Sequence, residues 1–194
     1  MVLHVDSDAA HLVLPQVQSR IAGHYYLSND PTYTKTIQPN GLILTECRSL
    51  KHVVASAAEA ETSALFHNAQ NASPLRYLLS QLGHPQPPTP LKTDNQVANA
   101  FVHQAMRLKK SKAWDMRLWW LKDQLVQKHF RMFWEKGATN WADYFTKHFS
   151  PQYHRLICPH YIQRTNLAIA TAVTKTLPMI LQGCVGTPVP RARA

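Results

Sequence analysis

The chain opens with a short apolar run, Val2-Leu3-His4-Val5, that stops at Asp6, a pattern predicting a buried strand that ends on an acid. Ile21 to Leu27, rich in aromatic and β-branched residues, predicts a second strand, and Leu42 to Cys47 a third. Turn signals at Asn29-Asp30-Pro31 and Pro39-Asn40-Gly41 lie between those two, so an antiparallel meander is expected. From Ser56 the period becomes helical. Ala57, Glu61, Ala64 and Leu65 fall at helical spacing, Ser56 is placed as N-cap, and the helix is expected to reach about Gln70. A second helix, Leu75 to Leu82, is expected to stop at Gly83, and Pro85 to Pro90 cannot be helix interior.

Further on, Leu91-Lys92-Thr93 predicts a short strand ending at Asp94, and Asn95 to Met106 a helix. Trp114 to Gln127 predicts an amphipathic helix with Leu118, Leu121 and Leu125 inward. His129 to Trp134 predicts the last strand and Trp141 to His148 a final helix. The order β-β-β-α-β-α-α-β-α implies an α/β fold: a mixed five-stranded sheet with helices on both faces. Residues 1–150 are expected to form this domain. Residues 151–194, broken by Pro151, Pro159, Pro178, Pro188 and Pro190, are expected to be an irregular tail.

Composition narrows the partners. Lys and Arg number 21 against 11 Asp and Glu, a formal net charge of +10, which favours a polyanion such as nucleic acid. No stretch reaches the roughly 18 apolar residues of a membrane span, and no membrane partner is expected. The cysteines number 3, an odd and widely spaced set, so a reducing compartment, cytoplasmic or nuclear, is expected.

In so basic a chain the positions of the acids matter. Asp6-Ser7-Asp8, Glu59-Ala60-Glu61, Asp94-Asn95 and Ala142-Asp143 all fall at or near predicted strand ends or helix starts, where open sheets gather functional groups. Asp6, Glu61, Asp94 and Asp143 are therefore placed to converge. Such a patch is costly unless cations relieve it, and oxygen-only sites suit magnesium. Two ions, Mg2+ with Mn2+ as the alternative, would serve phosphodiester hydrolysis. Against this stands the bland alternative that Asp94 and Asp143 each do no more than cap a helix. Arg107, Lys109, Lys110 and Lys112, followed by Trp114, form either a basic grip for a nucleic-acid backbone or a solvated face. Cys158-Pro159-His160 has a spacing that fits no common zinc pattern.

Five motifs occur in a telling order: Asp6-Ser7-Asp8-Ala9, Arg20-Ile21-Ala22-Gly23, Ser56-Ala57-Ala58-Glu59-Ala60-Glu61, Lys92-Thr93-Asp94-Asn95 and Ala142-Asp143-Tyr144-Phe145-Thr146-Lys147. Over roughly residues 1–150 this series resembles the ribonuclease H domain of copia-type LTR retrotransposon polyproteins, the piece that follows the reverse transcriptase. The resemblance implies an RNase H-like fold that cuts the RNA strand of an RNA–DNA hybrid, leaving a 3′-hydroxyl and a 5′-phosphate, with a reverse transcriptase domain as parent partner. It maps the metal-binding acids onto Asp6, Glu61, Asp94 and Asp143, and makes Asp8 and Glu59 accompanying acids. Gln96 falls where cellular ribonucleases H carry a glutamine that contacts the hybrid's minor groove, where 2′-hydroxyls are read.

Two departures concern turnover and substrate contacts. Ala57 and Ala58 stand where cellular enzymes have small polar residues, and the loop Glu135 to Asn140 lacks their histidine. The competing reading is a catalytically weak or inactive nucleic-acid-binding remnant of a retroelement.

Overall fold

The computed structural model describes residues 1–29, 41–103 and 112–161. Five strands form one sheet: β1 (Val2–Leu14), β2 (Gln18–Ser28), β3 (Leu42–Ser49), β4 (Thr89–Thr93) and β5 (Phe130–Trp134), in the spatial order β3-β2-β1-β4-β5. The first three pair antiparallel, as the meander expectation had it, while β4 runs parallel to both β1 and β5. The helices are α1 (Ala57–Gln81), α2 (Gln96–His103), α3 (Lys112–Val126), the single-turn α4 (Asp143–Thr146) and α5 (Pro151–Tyr161). The chain divides into two units, Met1–Ser150 and Pro151–Ala194.

Strand alternation sorts the sheet's two faces. Leu3, Val5 and Tyr25 point to one side and form the main core with Leu65 and Ala69 of α1, Leu118 and Leu121 of α3, and Leu91, Phe130 and Met132. Leu65 is fully buried, and trimming it to alanine should cost about 2–5 kcal/mol. A second cluster, Ile21, Leu50, Val54, Ala60 and Ala64, seats the start of α1 beside β2. Gly23 allows this close approach, since a Cβ there would collide with the Asn68 side chain. His4, Asp6, Asp8, His24 and Tyr26 point to the other side. There Phe145 of α4 stacks on His24, so helices lie on both faces.

Several elements differ from expectation. The first strand does not end at Asp6: it continues through Ser7, Asp8, Ala9 and Ala10, each paired with β2. Pairing with β2 holds a polar, small-residue segment that carries no strand signal of its own. The two helices expected between Ser56 and Leu82 are one helix with Pro74 inside it. Pro74 and Gln70, whose carbonyl loses its partner to the proline, are both exposed, so water can satisfy that carbonyl. Ser56 caps α1 as expected, its Oγ accepting from Glu59 N at 3.1 Å, while Glu59 Oε2 accepts from Ala55 N at 2.8 Å. Glu59 is thus a capping residue.

The last helix of the domain is a single turn rather than the span Trp141 to His148. The tail begins with the regular helix α5, whose first residue, Pro151, needs no intrahelical N–H partner there. Arg107, Lys109, Lys110, the 104–106 end of the helix expected over Asn95 to Met106 and most of both turn signals lie outside the described residues, and Lys112 opens α3. Among the described residues no helix is long and apolar enough to cross a membrane.

Candidate metal centre at the end of the parallel strands

The register between β1 and β4 decides which acids meet. Asp6 lies level with Lys92, so the position level with Asp94 is two residues further along β1, at Asp8. Asp8, Asp94 and Asp143 each offer a carboxylate oxygen, and these atoms lie within 4.8 Å of one another.

Asp6 is spent elsewhere. It is buried and pairs with the equally buried Lys92 at 3.0 Å. Its Oδ2 also accepts from Trp141 N at 3.1 Å, and its Oδ1 from the Tyr26 hydroxyl at 3.4 Å. Burial pushes its carboxyl up to about 6 even with Lys92 opposing. The placement of Asp6 in the converging set, with Asp8 as bystander, is therefore reversed by the geometry. The reason is that β1 runs past Asp6.

Asp8 is buried, which raises its carboxyl to about 7; the Thr146 hydroxyl, donating to Oδ2, works against this, and the Asp143 charge adds to it. Glu61, from the first turns of α1, is buried at the same place. Its Oε1 accepts from Ala9 N at 3.1 Å, while its Oε2 is buried with no hydrogen-bond partner. Burial, then the charges of Asp8 and Asp94, hold Glu61 well above the ordinary carboxylate range. Asp94 is raised by its partial burial and by Asp143.

Neither Asp94 nor Asp143 acts as a cap. Asn95 Oδ1 accepts from Ala98 N at 2.9 Å and so caps α2, and α4 has Ala142 at its N-cap with no side-chain bond. That removes the bland reading of both residues.

Contacts that the motifs alone do not reveal hold the acids in place. Trp134 Nε1 donates to the Asp94 carbonyl at 2.8 Å. Gly137 comes so close that a Cβ there would stand 2.7 Å from Asp94 Oδ2. The loop leading to Asp143 is stitched to the sheet by Lys92 Nζ on Thr139 O at 2.6 Å and by Asn140 Nδ2 on Ser7 O at 2.9 Å. Lys147 Nζ binds Asp143 Oδ1. Burial alone would depress Lys147, but the bond to Asp143 and the charges of Asp8, Asp143 and Asp94 raise it. Gln96 is exposed as the first residue of α2, next to Asn95. A periodic reading could have found none of these, although the Thr146-Lys147 pair does sit inside the last motif.

The donor set fits a hard divalent cation. All of its donors are oxygens, one buried carboxylate oxygen lacks any partner, and the carboxyls of Asp8, Glu61 and Asp94 are raised by burial and by neighbouring negative charge, which a cation would reverse.

A five-stranded mixed sheet with acids at the ends of its central parallel strands defines an RNase H-like fold, and solved structures agree. LC11-RNase H1, isolated from compost by a metagenomic approach, aligns with TM-score 0.53 at 10% identity, covering 74% of this chain and 91% of that one. The same protein in complex with RNA/DNA hybrid gives 0.52 at 10% identity over 74% and 92%. The protease–reverse transcriptase of prototype foamy virus is also similar, at TM-score 0.45 and 18% identity over 75% of this chain and 20% of that one. No model of a protein family matches the sequence, nor does any curated protein.

Proposed function

We propose that this protein is a ribonuclease H-type endoribonuclease, hydrolysing the RNA strand of RNA–DNA hybrids with two divalent cations, and that it derives from a copia-type retrotransposon polyprotein. The observation carrying the reading is the meeting of Asp8, Asp94 and Asp143 within 4.8 Å beside the unpartnered oxygen of Glu61. Its support for hybrid as substrate is the fold shared with the LC11 enzyme, whose complex with RNA/DNA hybrid has been solved. The support for the retroelement origin is the order of the five motifs.

Asp8, Asp94, Asp143 and Glu61 would hold magnesium, or manganese in its place. Bound there, such ions supply Lewis-acid stabilisation of an in-line phosphodiester displacement. The chain's own residues supply the geometry. Thr146 orients Asp8, Trp134 and Gly137 fix Asp94, and the Asp6–Lys92 pair anchors the loop that delivers Asp143. Gln96, exposed at the start of α2 two residues after Asp94, would contact the hybrid's minor groove, and Lys109, Lys110 and Lys112 would contribute backbone affinity that falls with salt.

A hybrid-cleavage assay with Mg2+ tests this on the wild type and Asp94→Asn. Cleavage lost in the variant supports the enzyme. Hybrid binding by both proteins with cleavage by neither supports the non-catalytic remnant instead.

A further inference from the structure

We propose that the ammonium of Lys147 is a built-in counter-cation of the Asp8–Asp94–Asp143 group, holding the place a divalent ion takes and competing with that ion for it. The inference rests on the metal reading above.

The backbone dictates the placement. Helix α4 lasts one turn and closes with Lys147 N on Asp143 O at 3.2 Å, which brings residue 147 back over residue 143. Its Nζ then binds Asp143 Oδ1. An isolated pair at this spacing on a surface helix is worth little. Here it is not isolated, because the carboxylates of Asp8 and Asp94 reach within 4.8 Å of that of Asp143. A cation on the Asp143 carboxylate is therefore near all three acids. Lys147 is the cation whose charge acts on Asp8, Asp94 and Glu61 alike.

The Lys147 side chain is 46% exposed, so its flexible stem can withdraw to solvent without disturbing the core. A tethered cation of this kind moderates repulsion among the acids in the metal-free protein. It also lowers the apparent affinity for the ion that replaces it. Because Lys147 is half exposed, its cost to that affinity is that of one unit charge at contact distance screened as in water, about tenfold.

The test is a titration of the full chain with Mn2+, read by calorimetry and by the loss of the free-ion paramagnetic signal, in wild type, Lys147→Gln and Lys147→Arg. The inference expects Lys147→Gln to bind Mn2+ about tenfold more tightly and Lys147→Arg to match wild type. Equal affinities in all three proteins, or weaker binding by Lys147→Gln, overturn the competition while leaving the metal reading intact. Weaker hybrid binding by Lys147→Gln at unchanged Mn2+ affinity would likewise overturn it, assigning the ammonium to substrate phosphate. Failure of all three proteins to bind Mn2+ sinks the metal reading, and this inference with it.

Discussion

Asp6 and Asp8 stand two residues apart on one strand, point to the same face, and are both buried, yet their surroundings differ. Asp6 lies mid-sheet, where β4 supplies Lys92 directly alongside, and its charge is used to bind the loop at Trp141. Asp8 lies level with the end of β4, where the neighbour is Asp94, and α4 brings in Asp143. One strand thus carries a closed ion pair and an open acid cluster, separated by one step of the β period. The difference shows that site identity here is set by sheet register, not by which acid begins the motif.

The sharpest break of this comparison is Asp8→Asn. It should lower hybrid cleavage by roughly 10²–10³-fold, the scale of losing one electrostatic contact at a reacting centre. Its thermal melting without metal should not fall, because the substitution removes a charge from a crowded group. Cleavage close to wild type would contradict the assignment.

Lys92→Met attacks the other side. It leaves Asp6 buried and unpaired, a loss of about 3–5 kcal/mol in urea denaturation, and pairing it with Asp6→Asn should restore part of that loss. A double variant no more stable than the single would mean the pair is not the anchor of the loop.

The pH dependence sharpens the contrast further. Asp8 sits near 7 in the folded protein against an ordinary 3.8, so the folded state takes up a proton there that the unfolded chain does not. Metal-free stability should therefore rise as pH falls from 8 through about 7. Below about 6.5 the trend is opposed by His24 and His67, both held by burial near 4 and so slower to protonate than in the unfolded chain. Saturating Mg2+ should raise the melting temperature more at pH 8 than at pH 5.5, since it competes with those carboxylate protons. An equal rise at both values would argue against the carboxylates as ligands.

The smallest expected effect is at Gln96→Ala. One exposed contact to the hybrid should change KM by a factor of a few, with kcat nearly unchanged. A large fall in kcat would place Gln96 in the chemistry instead.

Much of this was legible in the sequence. The strand and helix order follows from the switch between two-residue and helical periods. The inward face of α3 followed from Leu118, Leu121 and Leu125, the last of which packs on the core from a half-buried position. What escaped was whatever depends on contacts distant in sequence. Ser7 to Ala10 reads as a turn, since small polar residues have little strand preference of their own, and only pairing with β2 makes it strand. The choice between Asp6 and Asp8 needed the register with β4, which no local pattern carries. Pro74 reads as a helix break because its exposure cannot be known before α1 is packed. Gly137 and Lys92 are ordinary until Asp94 and Asp6 are seen beside them.

The most direct measurement is anomalous scattering from crystals soaked in Mn2+. The account predicts manganese bounded by the carboxylates of Asp8, Asp94 and Asp143, with none beside Asp6. Manganese held by Asp6, or none among residues 8, 94 and 143 in a protein that still cuts hybrid, would contradict it.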